Sequence, residues 1–149
     1  MKTYNYSLNH TSTRLNMKRL LPLLLLCSTL LLADLKEQYI DHALVGSGTP
    51  IVDIRTSGEW KNTGLVKGSI PITFFNEKGG YDLNAFLSEL NAKVDTKKEF
   101  ALICNSGSRT KVVSGFLSQK LGYKVIDLKG GILYAIGKKI PLEPYKGRK

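Results

Sequence analysis

Apolar and polar positions in the C-terminal half of the chain predict a buried strand followed by an amphipathic helix. Residues 100–103 form a continuous apolar run, which is typical of a strand covered on both faces. Residues 110–121 carry apolar side chains at helical spacing, and Gly122 lies where a helix commonly ends. Residues 104–109 therefore connect the carboxyl end of a strand to the start of a helix.

The chain after residue 33 shows the same succession of short strands and helices. The pattern predicts helices at residues 34–44, from residue 57, at residues 83–91 and at residues 131–139, strands at residues 51–54, 70–75, 100–103 and 124–128, and an extended polar tail at residues 141–149. Because strands alternate with helices, we expect an α/β fold with a mainly parallel central sheet of about five strands and helices on both faces.

The N-terminal residues differ in composition from the rest of the chain. Lys18 and Arg19 precede an almost continuous apolar run at residues 20–32, and Ala33 follows it. A basic start, a short apolar run and a small residue are typical of a secretory signal peptide. The run is shorter than the roughly 20 apolar residues that cross a bilayer comfortably.

This composition predicts two parts. Residues 1–33 are expected to be an N-terminal lead and signal peptide, with Met17 as the true start, and residues 34–149 to form one domain. We therefore expect a periplasmic or otherwise exported protein, or a membrane-anchored one if the segment is not cleaved. Nothing in the sequence indicates an oligomeric state.

The loop at residues 104–109 has the composition of a site for a reactive sulfur. Gly107 permits backbone angles at which successive N–H groups converge on one point, and the following helix adds its unpaired N–H groups. Arg109 contributes a permanent positive charge with a forked donor face. These features favour the thiolate form of Cys104. Taken singly, a cysteine at a strand end is often a small buried hydrophobe, and an arginine near a helix start is often merely solvated.

The cysteine count supports a reactive thiol. Removal of residues 1–33 takes Cys27 with it and leaves Cys104 as the one cysteine of the mature chain. A lone cysteine in an exported protein has no internal partner for a disulfide. The two histidines, His10 and His42, are far apart in the sequence, and we expect neither a metal nor a cofactor.

The net charge does not indicate a nucleic-acid partner. It is +10 for the whole chain and falls to +6 without residues 1–33, which contain four basic residues and no acidic one. The remaining lysines are scattered, whereas nucleic-acid binders concentrate basic residues on one stripe with interleaved aromatic side chains. A positive field would attract small anions, although the charge could equally serve only to keep the domain soluble.

Three segments resemble the rhodanese domain family. The loop Cys104-Asn105-Ser106-Gly107-Ser108-Arg109, followed by Thr110, is similar to the family's active-site loop, C-x-x-G-x-R followed by Ser or Thr. Residues 51–55, 59–60 and 64–70 resemble the family's first strand and the stretch after it, and residues 127–132 resemble its L-x-G-G segment. At two positions near these segments the chain differs from the usual family pattern. Leu65 replaces a frequent His, and Tyr134-Ala135 replaces a frequent Trp.

The resemblance implies a sulfurtransferase. Cys104 would be the catalytic nucleophile that carries a persulfide, while Asn105, Ser106, Gly107, Ser108 and Arg109 would bind the anionic substrate. The donor would be a small anion such as thiosulfate or polysulfide, and the acceptor would be cyanide, sulfite or a thiol.

Three further residues near the loop have a structural interpretation. Asp53 and Arg55 could be taken for a catalytic acid and base, but we expect a structural charge pair at the strand end, which the resemblance also implies. Glu59 is expected to accept from a backbone or arginine donor.

Two alternatives remain. A non-catalytic persulfide carrier or partner-docking module would keep the same loop. A phosphatase is a weaker alternative, because phosphatases of related fold place five residues between Cys and Arg, and this loop has four.

Overall fold

The central sheet lies at the middle of the computed structural model, which describes residues 35–147. The predictions for residues 1–33, including the signal peptide and Met17, fall outside the described residues. Five parallel strands form the sheet in the order β1-β6-β5-β2-β4. They are β1 (Lys36–Tyr39), β2 (Ile51–Asp53), β4 (Ile70–Pro71), β5 (Phe100–Ile103) and β6 (Val125–Lys129). The predicted α/β fold with a five-stranded parallel sheet is confirmed.

A two-stranded antiparallel sheet and five helices complete the described part of the chain. β3 (Leu65–Val66) pairs with β7 (Leu142–Glu143). The helices are α1 (His42–Gly46), α2 (Ser57–Thr63), α3 (Leu83–Lys93), α4 (Ser108–Leu121) and α5 (Gly131–Gly137). Asp82 caps α3 as predicted, because its side chain accepts a hydrogen bond from Ala85 N at 3.0 Å.

The core consists of two apolar clusters, to which the buried strand β5 contributes alternately. Phe100 and Leu102 belong to the cluster that contains Phe86 of α3 and Leu117 of α4. Ala101 and Ile103 belong to the cluster that contains Leu128, Ile132 and Ala135. Successive side chains of a strand point to opposite faces, so Cys104, which follows β5, lies on the face of Leu102 and packs in the first cluster.

The helix predicted at residues 34–44 is wrong for its first half. Lys36–Tyr39 is an edge strand that pairs in parallel with β6, and only His42–Gly46 is helical. Asp41 marks the boundary, because its carboxylate accepts a hydrogen bond from Leu44 N at 2.7 Å and caps α1. The free edge of β6 offers backbone partners that override a weak helical pattern.

The strand predicted at residues 70–75 is shorter than expected. Only Ile70–Pro71 pairs regularly with β2, and Pro71 has no N–H to donate to it. Beyond it, Ile72 N and Phe74 N still donate to Asp53 O and Ile54 O, at 3.0 and 3.2 Å. Within the tail that was predicted to be extended, Leu142–Glu143 forms the strand β7.

Candidate active site

Cys104 lies directly after β5, at the carboxyl edge of the parallel sheet, where α/β proteins place their ligands. The Gly107 N–H donates a hydrogen bond to Cys104 Sγ, and the N···S distance is 3.1 Å. Gly107 has a φ of 94° and immediately precedes α4, so the sulfur faces the unpaired N–H groups and the positive dipole end of that helix. The arrangement stabilises negative charge on the sulfur.

The double glycine after β6, Gly130-Gly131, packs closely against the backbone of the loop. A Cβ on Gly131 would lie 2.4 Å from Cys104 O, and a Cβ on Gly107 would lie 2.8 Å from Gly130 N. This close approach allows Ile132 N to donate to Cys104 O at 2.8 Å and Leu133 N to donate to Asn105 O at 3.2 Å. The start of α5 is therefore hydrogen-bonded to the loop backbone and fixes its path.

The sulfur itself is covered. Cys104 and Thr110 have no exposed surface, and Thr110 Oγ1 lies 3.7 Å from Cys104 Sγ. The loop side chains above them face solvent: Ser106 and Ser108 are exposed, with their hydroxyl oxygens 3.4 Å apart, and Asn105 is half-buried. The sulfur therefore has no direct contact with solvent in this arrangement of the loop.

Arg109 is bound by Glu59. The sequence predicts that Glu59 accepts a hydrogen bond from an arginine or a backbone donor, but it does not specify the residue. Arg109 Nη1 donates to Glu59 Oε2 at 2.9 Å, and Arg109 Nη2 donates to Glu59 Oε1 at 2.5 Å. The Arg109 hydrogen bonds lower the pKa of Glu59 to about 2. Glu59 likewise raises the pKa of Arg109, and the nearby Cys104 sulfur adds to this effect. Arg109 thus lies within electrostatic range of the sulfur while it is tied to α2.

The Glu59 carboxylate has a second task at the start of α2. Its Oε2 accepts from Thr56 N at 2.9 Å, and Thr56 Oγ1 accepts from Glu59 N at 3.3 Å, which is a capping box. Glu59 therefore joins the N-terminus of α2 to the loop residue Arg109. An open cleft borders this pair, and its lining includes Phe75, Asn76 and Glu77.

Asp53 and Arg55 form a second ion pair at the end of β2, the strand next to β5. Their closest N···O distance is 2.7 Å, and both side chains have no exposed surface. Arg55 also donates to Thr63 Oγ1 at 2.6 Å and to Gly64 O at 2.8 Å. The structure thus places these residues in a network that closes α2 onto the sheet.

Sequence reasoning missed Asp127, which lies beside the site. Asp127 of β6 is 2% exposed, and its Oδ1 is buried without a hydrogen-bond partner among residues 35–147. Burial raises the pKa of Asp127, with Glu37 adding to the effect and Thr110 opposing it. The sequence does contain a signal: Asp127 interrupts an otherwise apolar strand at a position that points to the same face as Val125.

Two negative findings concern residues 35–147 alone. In that range no group of three or more His, Cys, Asp and Glu side chains is arranged to hold a metal ion. Nor does the same range contain a helix with both the length and the apolarity needed to cross a membrane.

The chain matches the family model described as "Rhodanese-like domain" over residues 32–134. An uncharacterized protein of Rickettsia prowazekii is 33% identical over 78 residues, which are 50% of this chain and 60% of the relative. The chain therefore spans about 60% of the length of that curated relative.

Two solved structures share the fold. A rhodanese-like domain protein from Staphylococcus aureus superposes with a TM-score of 0.56 at 22% identity, over 75% of this chain and 100% of that one. A rhodanese-related protein from Thermoplasma volcanium superposes with a TM-score of 0.50 at 28% identity, over 66% of this chain and 87% of that one. The loop at residues 104–109, the residues Asp53, Arg55 and Glu59, and the double glycine at residues 130–131 lie inside the region that the family model matches.

Proposed function

The chain belongs to the rhodanese-like domain family, and from this premise we propose that it is a sulfurtransferase that carries sulfane sulfur on Cys104. The donor is thiosulfate or a polysulfide, and the acceptor is cyanide, sulfite or a thiol. The observation that supports the proposal best is the hydrogen bond from Gly107 N to Cys104 Sγ at the start of α4. A backbone N–H at a helix N-terminus stabilises negative charge on the sulfur that accepts from it.

The reaction takes two half-steps. The Cys104 thiolate attacks the outer sulfur of the donor, a new S–S bond forms, and the bond between that sulfur and the rest of the donor breaks with its electron pair. The product is a Cys104 persulfide. When the donor is thiosulfate, the leaving group is sulfite. The acceptor then attacks the terminal sulfur and regenerates the thiolate.

The loop supplies electrostatic support for both half-steps. Backbone N–H groups at residues 105–109 and the guanidinium of Arg109 stabilise the anionic donor and the persulfide charge. Arg109 has five N–H donors, of which two contact Glu59, so the guanidinium retains donors for an anion. The exposed Ser106 and Ser108 and the half-buried Asn105 form the rim.

One observation favours the second candidate, a persulfide carrier or docking module without steady turnover. Cys104 has no exposed surface, and a partner protein that displaces the loop would open the sulfur to a selected donor. Both candidates load sulfur on Cys104. They differ in whether a small acceptor alone unloads it repeatedly.

The cellular site is proposed from the N-terminal composition. The basic start and apolar run at residues 17–33 support export to the periplasm, with membrane anchoring if the segment is retained. A size measurement of the protein purified from its cell fraction tests this: cleavage near residue 33 removes Cys27, and an uncleaved chain keeps it.

The experiment that tests the chemistry is intact-mass measurement of the full chain before and after thiosulfate or polysulfide, with and without cyanide. We expect a cyanide-labile gain of one sulfur, about 32 Da, which is the persulfide of covalent catalysis. Repeated production of thiocyanate identifies an enzyme, and a single release per chain identifies a carrier.

The two cysteines provide a matched pair of controls. Cys104→Ala should abolish the sulfur gain, whereas Cys27→Ser should leave it intact, because Cys27 lies outside the loop. A folded, reduced protein that gains no sulfur, or one that gains it equally in Cys104→Ala, contradicts the proposed function.

A further inference from the structure

The open cleft beside the Glu59–Arg109 pair is lined by a further charged side chain, that of Glu77. A Cβ on Gly58 would lie 3.2 Å from Glu77 Oε1, so the Glu77 carboxylate lies against the first turn of α2. The cleft has a volume of about 650 Å³, which is within the range of small-molecule sites. Glu77 therefore shares a ligand-sized cleft with the arginine of the Cys104 loop.

A closed turn fixes the position of Glu77. Phe75 and Tyr81 form an antiparallel bridge on either side of the turn. Between them, Asn76 N donates to Gly80 O at 2.8 Å, and Asn76 Oδ1 accepts from Gly80 N at 2.9 Å. Because the backbone on both sides of Glu77 is hydrogen-bonded, the turn holds this side chain beside the cleft.

Glu77 supplies the uncompensated charge of the cleft lining. Glu59 and Arg109 also line the cleft, but they neutralise each other through two hydrogen bonds. The Glu77 side chain is exposed and forms neither a hydrogen bond nor an ion pair with another described residue. The next residue, Lys78, is not among the described residues that line the cleft. One negative charge of the lining is thus left for a ligand to pair with.

Two parts of the cleft lining attract opposite charges. Arg109 follows two residues after Gly107, whose N–H donates to Cys104 Sγ at 3.1 Å, and this start of α4 favours an anionic sulfur. Glu77, by contrast, attracts a cation and repels an anion. A doubly charged anion such as sulfite is attracted by the first part and repelled by the second. A small thiol with an ammonium group presents a thiolate to the loop and a cation to Glu77.

We propose that Glu77 is a specificity-determining residue, which binds the ammonium group of a small aminothiol that accepts sulfur from Cys104. The inference rests on the proposed function and narrows its class of acceptor. The aminothiol thiolate attacks the terminal sulfur of the Cys104 persulfide and forms a new S–S bond. The old S–S bond breaks with its electron pair on Cys104, so that Cys104 returns to the thiolate and the aminothiol leaves as a persulfide.

The first measurement compares two thiols of the same length and opposite charge. The full chain with Cys27→Ser is loaded with polysulfide, freed of the donor and mixed with cysteamine or 3-mercaptopropionate, and the loss of sulfur from Cys104 is followed by intact mass. We expect the ratio of the two rate constants, cysteamine over 3-mercaptopropionate, to fall roughly three- to tenfold in Glu77→Gln, because one partly solvated charge acts in opposite directions on the two thiols. Comparison of ratios cancels the intrinsic reactivities of the thiols.

The second measurement does not require sulfur transfer. Methanethiosulfonate reagents with an ammonium or a sulfonate group modify the reduced Cys104 thiol of the same chain. The thiolate attacks the reagent sulfur, a disulfide forms, and methanesulfinate leaves with the electron pair. The ratio of the two modification rates should fall in Glu77→Gln by a factor similar to that for the two thiols.

Two variants and added salt separate the charge of Glu77 from its packing. Glu77→Asp keeps the carboxylate and should keep most of the preference for the cationic thiol. Glu99→Gln is the matched control, since it removes an exposed carboxylate at the residue before β5, at the opposite end of that strand from Cys104. It should leave both ratios unchanged. High salt should lower both ratios of the protein towards those of Glu77→Gln, because salt screens exposed charges.

Ratios that stay the same in Glu77→Gln, or that fall equally in Glu99→Gln, overturn the inference. So does a folded protein in which neither methanethiosulfonate reagent modifies Cys104, because the cleft then does not lead to the sulfur. Each of these outcomes leaves the sulfurtransferase proposal standing if the persulfide forms. A chain that never gains sulfur contradicts the proposed function and, with it, the aminothiol acceptor, whatever the modification rates show about the charge of the cleft.

Discussion

The two ion pairs beside the Cys104 loop differ in how fully protein groups enclose them. Asp53–Arg55 has no exposed side-chain surface, and Arg55 additionally donates to Thr63 and Gly64. Glu59–Arg109 is 30% and 25% exposed, and the pair borders an open cleft. The first pair is enclosed like part of the core, and the second has the access that a ligand needs.

This difference explains why two similar pairs at one sheet edge have different roles. A buried charge that loses its partner keeps the full cost of desolvation, so Asp53–Arg55 cannot open during a reaction without loss of structure. Water and ions compensate a partly exposed charge, so Glu59–Arg109 can exchange partners at small cost. Under the proposed function, an anionic donor would compete with Glu59 for Arg109, and this pair rather than Asp53–Arg55 would open.

The largest expected effect on the free energy of unfolding comes from breaking the enclosed pair Asp53–Arg55. Arg55→Leu should lower the free energy of unfolding by about 3 to 5 kcal/mol, because it leaves Asp53 as an unpaired buried charge. Denaturant unfolding of the full chain measures this. The double variant Asp53→Leu with Arg55→Leu should be less destabilised than the single one, since no charge is left behind. A loss below about 1 kcal/mol in Arg55→Leu would show that water reaches this pair after all.

The next effect separates stability from activity at the open pair. Arg109→Gln should cost about 1 kcal/mol of stability or less, because the pair is partly exposed. Its rate of thiocyanate formation should fall roughly a hundredfold, the loss that follows removal of one charge-stabilising donor. Unfolding and steady-state kinetics on the same preparation test both statements. An unchanged rate with a large loss of stability would place Arg109 with the enclosed pair instead.

The pH dependence of stability sharpens the comparison further. Arg109 lowers the pKa of Glu59 from 4.5 to about 2 in the folded protein. Glu59 therefore contributes stability that is present above pH 4.5 and is lost as the pH falls towards about 2. We expect the difference in unfolding free energy between the protein and Glu59→Gln to be about 1 kcal/mol at neutral pH, discounted for partial exposure, and to vanish in acid.

Urea unfolding at several pH values measures this difference. Arg109→Gln serves as the control, since without the arginine the acid-dependent loss should shrink to the part that the Thr56 hydrogen bonds contribute. A difference that stays constant from pH 7 to acid would mean that Glu59 acts through its capping hydrogen bonds to Thr56 rather than through its charge.

The sequence predicted the parts of this site that neighbours along the chain determine. The apolar run before Cys104, the glycine at position 107 and the helical spacing after Thr110 fixed a strand, a loop and a helix in that order. The same local patterns predicted the cap at Asp82 and the parallel sheet. Local hydrogen-bonding rules and hydrophobic periodicity suffice for these features.

Contacts between distant segments were beyond local patterns. Glu59 and Arg109 are 50 residues apart, and no periodicity relates them. Asp127 lies level with Leu102, two residues before Cys104, only because β6 lies beside β5 in the sheet. The edge strand Lys36–Tyr39 was predicted as helix for the same reason, since its state depends on a partner strand elsewhere in the chain.

The smallest expected effect comes from an exposed ion pair that completes the series. Lys36 and Glu99 lie 3.1 Å apart with side chains 50% and 43% exposed, and they join β1 to the residue before β5. Glu99→Gln should change the free energy of unfolding by about 0.5 kcal/mol or less, because solvent screens both charges and the long side chains lose entropy when they pair. Added salt should remove even this difference.

The same denaturant series that measures Arg55→Leu and Glu59→Gln measures Glu99→Gln. If enclosure determines what an ion pair contributes, the three losses follow the exposed fractions of the pairs, from Asp53–Arg55 through Glu59–Arg109 to Lys36–Glu99. A loss in Glu99→Gln that equals or exceeds that in Glu59→Gln would break the order. Anchoring of the edge strand, rather than shielding from water, would then determine how much an ion pair contributes to the free energy of unfolding.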